Sequence, residues 1–221
     1  GKFYEKNDLV YFWVWCIICP HCGQRFPLSN NMWIVNTKKD KIGVRFNITP
    51  DKNFTSELIY KIKSTEGNKY TQKGGKAICI SCKNTINYEA ITSDIAKRKD
   101  RELIVKQIQG RNRREYLLAS KQDKKRFEDA KKNMELKLSK YINQNLIPDE
   151  DIKPSHRREE PLWHYGIRHW KDFVSARQLL LFTTLMKIIK QECSKLDTEH
   201  GKIMATYLSF MLCRHLDHNS L

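Results

Sequence analysis

Over residues 1 to 92, apolar and polar side chains alternate in short runs, and a period of two is the mark of half-buried β-strands. The runs are Tyr11-Phe12-Trp13-Val14-Trp15, Trp33 to Val35, Val44 to Ile48, Leu58 to Ile62 and Ala77 to Ile80, separated by Lys, Asn, Asp and Gly. Residues 103 to 119 read as a hairpin, with Leu103 to Ile108 facing Glu115 to Leu118 across a Gly110-Arg111-Asn112-Arg113 turn. The period then changes. Ser120 with Asp123 makes a capping-box pattern, and Phe127, Ala130, Met134, Leu138 and Tyr141 recur at helical spacing, which predicts a helix from about 121 to 144. Pro148, Pro154 and Pro161, set among charges, make 146 to 162 an extended connector. Beyond it, Ser175 with Gln178 is a second capping box, opening a stripe of Leu179, Phe182, Met186, Ile189, Cys193 and Leu196. Residues 200 to 218 carry Ile203, Met204, Tyr207, Leu208, Phe210, Met211 and Leu212, too apolar for a helix facing water, so this segment is expected to pack on something. The class is α+β, in three expected parts: a β-rich module over 1–92, a hairpin and helix over 93–145, and a connector with C-terminal helices over 146–221.

The charge balance points to a partner. In 221 residues Lys and Arg outnumber Asp and Glu by 41 to 25, a formal net charge of +16, which suits a polyanion, nucleic acid first and an anionic membrane surface second. From Lys97 to Lys140 there are 16 basic and 7 acidic residues, so the excess concentrates on the hairpin and the helix after it. Arg111, Arg113 and Arg114 at the hairpin tip have little structural use and suit phosphate contacts, DNA being the expected ligand. Lys121, Lys124, Lys125, Lys131 and Lys132 could line the adjacent backbone, with an ordinary solvated face as the competing reading. No residue stands out as a reader of bases. No apolar run approaches the roughly 18 residues that cross a bilayer, and no secretory signal opens the chain, so a soluble, cytoplasmic protein is expected, with no membrane partner. The Gly1 start and the His218-Asn219-Ser220-Leu221 close read as an excerpt from a longer polypeptide.

The cysteines carry the most specific chemistry. Cys19-Pro20-His21-Cys22 and Cys79-Ile80-Ser81-Cys82 each offer two thiolates to one tetrahedral ion, and Gly23 follows the first pair where a tight knuckle needs positive φ. The loop between the pairs is longer than the roughly 15–20 residues of the common four-cysteine pattern, so an insertion must grow from the ribbon. A closed shell of Cys19, Cys22, Cys79 and Cys82 leaves no open position for water, and the expected zinc is structural. Cys16 also forms a CxxC pair with Cys19, but Pro20 and Gly23 favour Cys22, leaving Cys16 a packed or spare thiol. His21 is expected to contribute its backbone N–H rather than its ring. Cys193 and Cys213 fall on predicted helices and read as small buried hydrophobes.

Catalysis by this chain finds little support. His156, His164 and His169 lie among Arg157, Arg158, Trp163, Tyr165 and Trp170, with no nucleophile or paired carboxylate arranged near them, and packing and connector roles are expected. No glycine-rich loop follows a strand into a helix, and no Asp-Pro-Pro-Tyr or Asn-Pro-Pro-Tyr tetrapeptide is present.

Read in order, Cys19-Pro20-His21-Cys22-Gly23 to Pro27-Leu28, then Gly74-Gly75 to Cys79-x-x-Cys82, resembles the zinc-ribbon insertion of the large adenine-specific DNA methylases that carry an N-terminal DUF1156 segment. Tyr165-Gly166-Ile167-Arg168-His169-Trp170-Lys171-Asp172-Phe173 with Ser175-Ala176-Arg177-Gln178-Leu179-Leu180 is similar to that family's Tyr-Gly-x-x-x-Trp-x-Asp-x-Phe-x-x-Arg-Gln-Leu-Leu stretch. Tyr207-Leu208 through Arg214, and Asp217-x-Asn219-Ser220, resemble the segment after it. The chain departs from the family where Val174 follows Phe173 in place of a further aromatic, and where Ser175-Ala176 replaces Thr-Pro. The resemblance implies S-adenosylmethionine-dependent methylation of adenine N6 by a parent enzyme, with cofactor and catalytic motifs on a flanking or separate domain. This chain would be its central, DNA-positioning region. The alternative is a non-enzymatic zinc-ribbon adaptor that recruits partners in a nucleic-acid defence or transcription assembly.

Overall fold

The computed structural model describes residues 5–111, 113–153, 162–163 and 165–219, with side chains to Leu216. His156, Arg157, Arg158, His164, Asn112, Pro154, Pro161 and Ser220 therefore lie outside the described residues, as do the side chains of Asp217 and Asn219. The class is α+β, with antiparallel sheets followed by C-terminal helices. Two compact units divide the chain. One comprises 5–121 with 160–166, and the other 122–159 with 167–221.

In the first unit, alternation produces strands where half of each face can be buried. β1 (Asp8–Ile18) is flanked by β2 (Arg25–Leu28) and β9 (Arg101–Gln109), and β10 (Arg114–Leu118) completes a four-stranded sheet of order β10-β9-β1-β2. β3 (Trp33–Asn36), β4 (Lys41–Ile48) and β5 (Phe54–Tyr60) form a second sheet. β6 (Gln72–Lys73), β7 (Lys76–Ile78) and β8 (Thr85–Ile86) form a small ribbon. All pairings are antiparallel. Val44, Ile104 and Val105 are buried between the two larger sheets, with Phe12, Val14, Phe46, Leu58 and Tyr116 around them.

The expected boundary at residue 92 does not divide the units. β9 pairs with β1 from Asp8↔Ile108 to Trp15↔Arg101, so the hairpin shares a sheet with the strand that leads into the first cysteine pair. Pairing of that kind joins residues some ninety positions apart, beyond the reach of local periodicity. The expected hairpin itself matches β9 and β10, with Arg114 opposite Gln109 at the turn.

Two helices in this unit escape the alternation. α1 (Ser64–Gly67) is a single turn, and α2 (Tyr88–Arg98) buries Ile91 and Ile95, one turn apart, in the core around the cysteines. The Ala90 N–H donates to Asn87 Oδ1 at 2.9 Å to start α2, and Lys99, at φ +47°, ends it by donating its N–H to the Ile95 carbonyl. Two isoleucines on eleven residues are too faint a period to announce a helix.

The second unit is helical. α3 (Lys121–Asn143), which begins at the division between units, covers the expected span and buries Ala130, Met134 and Tyr141. α4 (Ala176–Cys193) starts with the expected capping box: the Ser175 N–H donates to Gln178 Oε1 at 2.7 Å, and the Gln178 N–H to Ser175 Oγ at 3.4 Å. Met134, Tyr141, Ile147 and Leu179 form the core, with Leu138, Ile142, Leu146 and Val174 packed on it. A short 3-10 turn, Trp170–Phe173, precedes α4, and α5 (Thr198–Asn219) follows it.

One expectation fails on α5: Cys213 is exposed rather than buried. The helix packs on α4 and buries Gly201 and Leu212, while Tyr207, Phe210 and Met211 remain about two-thirds exposed. The apolar character of α5 is spread around the helix, so one packed side cannot cover it all. Among the described residues, no helix is long and apolar enough to cross a membrane.

Candidate metal centre

β1 ends at Ile18 and delivers Cys19 into a turn; β7 ends at Ile78 and delivers Cys79 into another. The two turns share a hydrogen-bond pattern. Gly23 N–H donates to the Cys19 carbonyl at 2.9 Å and Lys83 N–H to the Cys79 carbonyl at 3.1 Å. Cys19 N–H donates to Gln24 O at 2.9 Å and Cys79 N–H to Asn84 O at 3.0 Å. Gly23 and Lys83 both have positive φ, +74° and +62°, and each reverses the chain directly after a cysteine pair.

These knuckles bring four sulfurs together. Cys19 Sγ lies 3.7 Å from Cys82 Sγ and Cys22 Sγ 3.6 Å from Cys79 Sγ, and all four lie within 4.8 Å of one another. A tetrahedral ion with Zn–S bonds of about 2.3 Å requires sulfurs about 3.8 Å apart, so the donor set fits one ion. Those separations are far too long for disulfides, and all seven cysteines are free. The four-cysteine cluster is able to bind a metal ion, and the predicted quartet Cys19, Cys22, Cys79 and Cys82 is the one assembled.

The backbone is arranged to support negative sulfur. The N–H groups of His21 and Cys22 approach the Cys19 sulfur, those of Cys82 and Ser81 approach Cys79, and that of Gln24 approaches Cys22. The Gln24 N–H draws the half-buried Cys22 thiol down to about 7, whereas burial pushes Cys79 up to about 12 and raises Cys19. A bound cation offsets that burial cost, since it takes up the charge of the deprotonated sulfurs. His21 is exposed and contributes its backbone N–H, as expected. Cys16 is fully buried outside the quartet, its thiol pushed up to about 12 by burial.

The cluster is continuous with the hydrophobic core. Ile17, Phe26, Leu28, Ala77, Ile86, Ile91 and Ile95 surround the sulfurs, and Tyr165 packs on the same group. Arg25, just past the first knuckle, was not singled out by sequence. Its Nε donates to Asp100 Oδ2 at 2.7 Å and its Nη2 to Asp100 Oδ1 at 2.9 Å and to Glu102 Oε2 at 2.9 Å. Gln24, almost wholly buried, donates to the carbonyls of Arg25 and Asn53, both at 2.7 Å. These bonds tie the knuckle to the start of β9 and to the turn before β5. No spacing rule marks them, because an arginine in a basic chain is unremarkable until its partners are known.

The basic candidates divide between the units. Arg111, Arg113 and Arg114 are exposed at the hairpin tip, where Gly110 N–H closes the turn on the Arg113 carbonyl at 3.0 Å. Lys121, Lys124 and Lys125 are exposed at the start of α3, with Lys124 and Lys125 in the helical unit. His169 has a connector role: its N–H and that of Arg168 donate to Asp172 Oδ2, and its Nδ1 lies 3.1 Å from the Asp149 carbonyl. Lys171 pairs with Asp149.

No family model matches the chain, nor does any curated protein or solved structure.

Proposed function

We propose that this chain is the DNA-engaging central region of an adenine-specific, S-adenosylmethionine-dependent DNA methyltransferase, with structural zinc held by Cys19, Cys22, Cys79 and Cys82. The observation that supports it most is a continuity of the backbone. β1, which delivers Cys19 to the metal cluster, is also the strand on which β9 and the arginine-tipped hairpin are built. A metal that anchors the end of β1 thereby stiffens the platform from which Arg111, Arg113 and Arg114 project. Four thiolates fill a tetrahedral shell, so the zinc supplies fold stability and leaves no position for an activated water. The chain's part in the reaction is to bind and orient duplex, while the methyl donor and the transfer chemistry belong to a flanking or separate catalytic domain of the kind the family resemblance implies.

The test is duplex binding by the zinc-loaded chain. Affinity is expected to fall steeply with salt, by about 0.9 in the log–log slope for each phosphate neutralised, and Arg111→Glu/Arg113→Glu/Arg114→Glu to weaken it and flatten that slope. Unchanged affinity and slope in the triple variant would exclude the hairpin as the contact.

A second reading, a zinc-ribbon adaptor for protein partners in a defence or transcription assembly, draws on one observation. Tyr207, Phe210 and Met211 leave an exposed apolar face on α5, and such faces are used for protein contacts. It predicts a chain that binds partners through α5 and is indifferent to charge reversal on the hairpin.

A further inference from the structure

A groove of about 420 Å³, within the size range of ligand sites, opens in the ribbon unit beside the second knuckle. β4 supplies Phe46 and Ile48 as apolar lining, and the knuckle supplies Ile80 and Lys83. The groove is therefore built in part by the metal-binding loop itself. Its cations are unequal. Arg45 is neutralised by Glu66, whose Oε1 lies 2.6 Å from Nη2, and by Glu57 at 3.4 Å. Lys69 and Lys83 are exposed, and neither pairs with a carboxylate among the described residues; Lys83 Nζ donates to the Ile80 carbonyl at 2.7 Å.

Lys83 stands at the turn of the second knuckle, with φ +62°, where the first knuckle has Gly23. Lys52, Lys61 and Lys99 share that left-handed conformation, so it marks a turn, and what Lys83 adds is the ammonium its side chain places on the wall of an apolar-floored groove.

The geometry points to a binding site for an unpaired nucleic-acid strand, with phosphates on Lys69 and Lys83 and a base or sugar against Phe46 and Ile48. A cationic rim over an aromatic and aliphatic floor is the arrangement that holds single strands, whereas duplex keeps its bases stacked away from such a floor. The site rests on the nucleic-acid role proposed above but uses a surface separate from the hairpin tip.

The experiment uses the full zinc-loaded chain and short fluorescent oligonucleotides: single-stranded DNA, single-stranded RNA and duplex. In Lys69→Ala/Lys83→Gly, single-strand affinity is expected to drop several-fold, and the log–log salt slope to flatten by about 1.4, since each phosphate contact on a single strand contributes about 0.7. Duplex affinity is expected to stay close to that of the parent chain. Zinc content and circular dichroism report that the fold is intact, which the glycine at position 83 favours. The DNA and RNA arms identify the strand. Unchanged single-strand affinity and slope in the folded double variant overturn the groove site. If Arg111→Glu/Arg113→Glu/Arg114→Glu meanwhile loses duplex binding, the hairpin reading survives that failure; if only the lysine variant loses binding, the groove stands without it.

Discussion

Arg25 grips Asp100 through two parallel hydrogen bonds, 2.7 and 2.9 Å long, joining the end of the first knuckle to the approach of β9 across 75 residues of sequence. Arg98 adds a further bond to the same carboxylate, and both Arg25 and Asp100 side chains are about one-fifth exposed. Burial alone would raise the Asp100 carboxyl, but the two guanidiniums outweigh it and hold it below the usual range, while Asp100 in turn raises Arg25. Asp100→Asn is expected to cost about 1.5–3 kcal/mol, the range for hydrogen bonds to charged groups, as measured by urea unfolding of the zinc-loaded protein at neutral pH. The pH dependence has a definite sign. Because the folded carboxyl titrates below its unfolded value of about 3.9, its stabilisation is complete above that value and lost as pH falls through the lower, folded one. The gap between parent and Asp100→Asn should therefore close in acid; a constant gap would mean the charge is not what stabilises.

Metal removal tests the quartet directly. One zinc per chain is expected, and chelation or Cys79→Ser should unfold the ribbon, because the sulfurs sit inside the same core as Ile17, Phe26 and Ile91. Cys16→Ser should keep its zinc, since Cys16 lies outside the cluster. As the ligands must be deprotonated to bind, zinc affinity should rise with pH and chelators should extract the ion more readily in mild acid. Metal analysis with a colorimetric chelator reads each of these outcomes.

The twin knuckles differ in what they demand of residue type. A Cβ on Gly23 would meet Lys52 atoms no closer than 3.4 Å, so the penalty of Gly23→Ala is conformational, about 1–2 kcal/mol for a left-handed non-glycine residue. Lys83→Gly relieves that strain and adds back about 0.5–1 kcal/mol of glycine entropy, so its net effect should lie between neutral and about 1.5 kcal/mol stabilising. Thermal unfolding of the two variants should move in opposite directions or leave Lys83→Gly unmoved.

Gly166 has a steric reason for being glycine as well as a conformational one. At φ +72°, a Cβ there would come within 3.0 Å of the Ala96 Cα and 3.2 Å of its carbonyl, both on the backbone of α2. Gly166→Ala should cost about 1–3 kcal/mol and loosen Tyr165 from the core around the cysteines. Loss of protection from hydrogen exchange in α2, with α4 unaffected, would be the signature.

Much of this molecule is written locally. Each of the two CxxC pairs, the hairpin with its arginine tip, α3 and the Ser175 capping box depends on residues close together in the chain, and spacing identifies them. α2 was illegible because two isoleucines make too weak a period, and the exposure of Cys213 because an evenly apolar helix does not announce which side is covered.

What the chain by itself determined was therefore chemistry at short range: which sulfurs can meet an ion, where the backbone must turn, and where positive charge collects. Tertiary structure alone decided which distant segments meet. It set β9 beside β1, so that the hairpin shares a sheet with the strand leading to the cysteine cluster; it found Asp100 for Arg25; and it placed Lys83 on the wall of a groove with Phe46. The physical reason is that burial and pairing between remote strands depend on surfaces that exist only once the chain has closed on itself, whereas turns, caps and ligand pairs are set by backbone geometry over a handful of bonds.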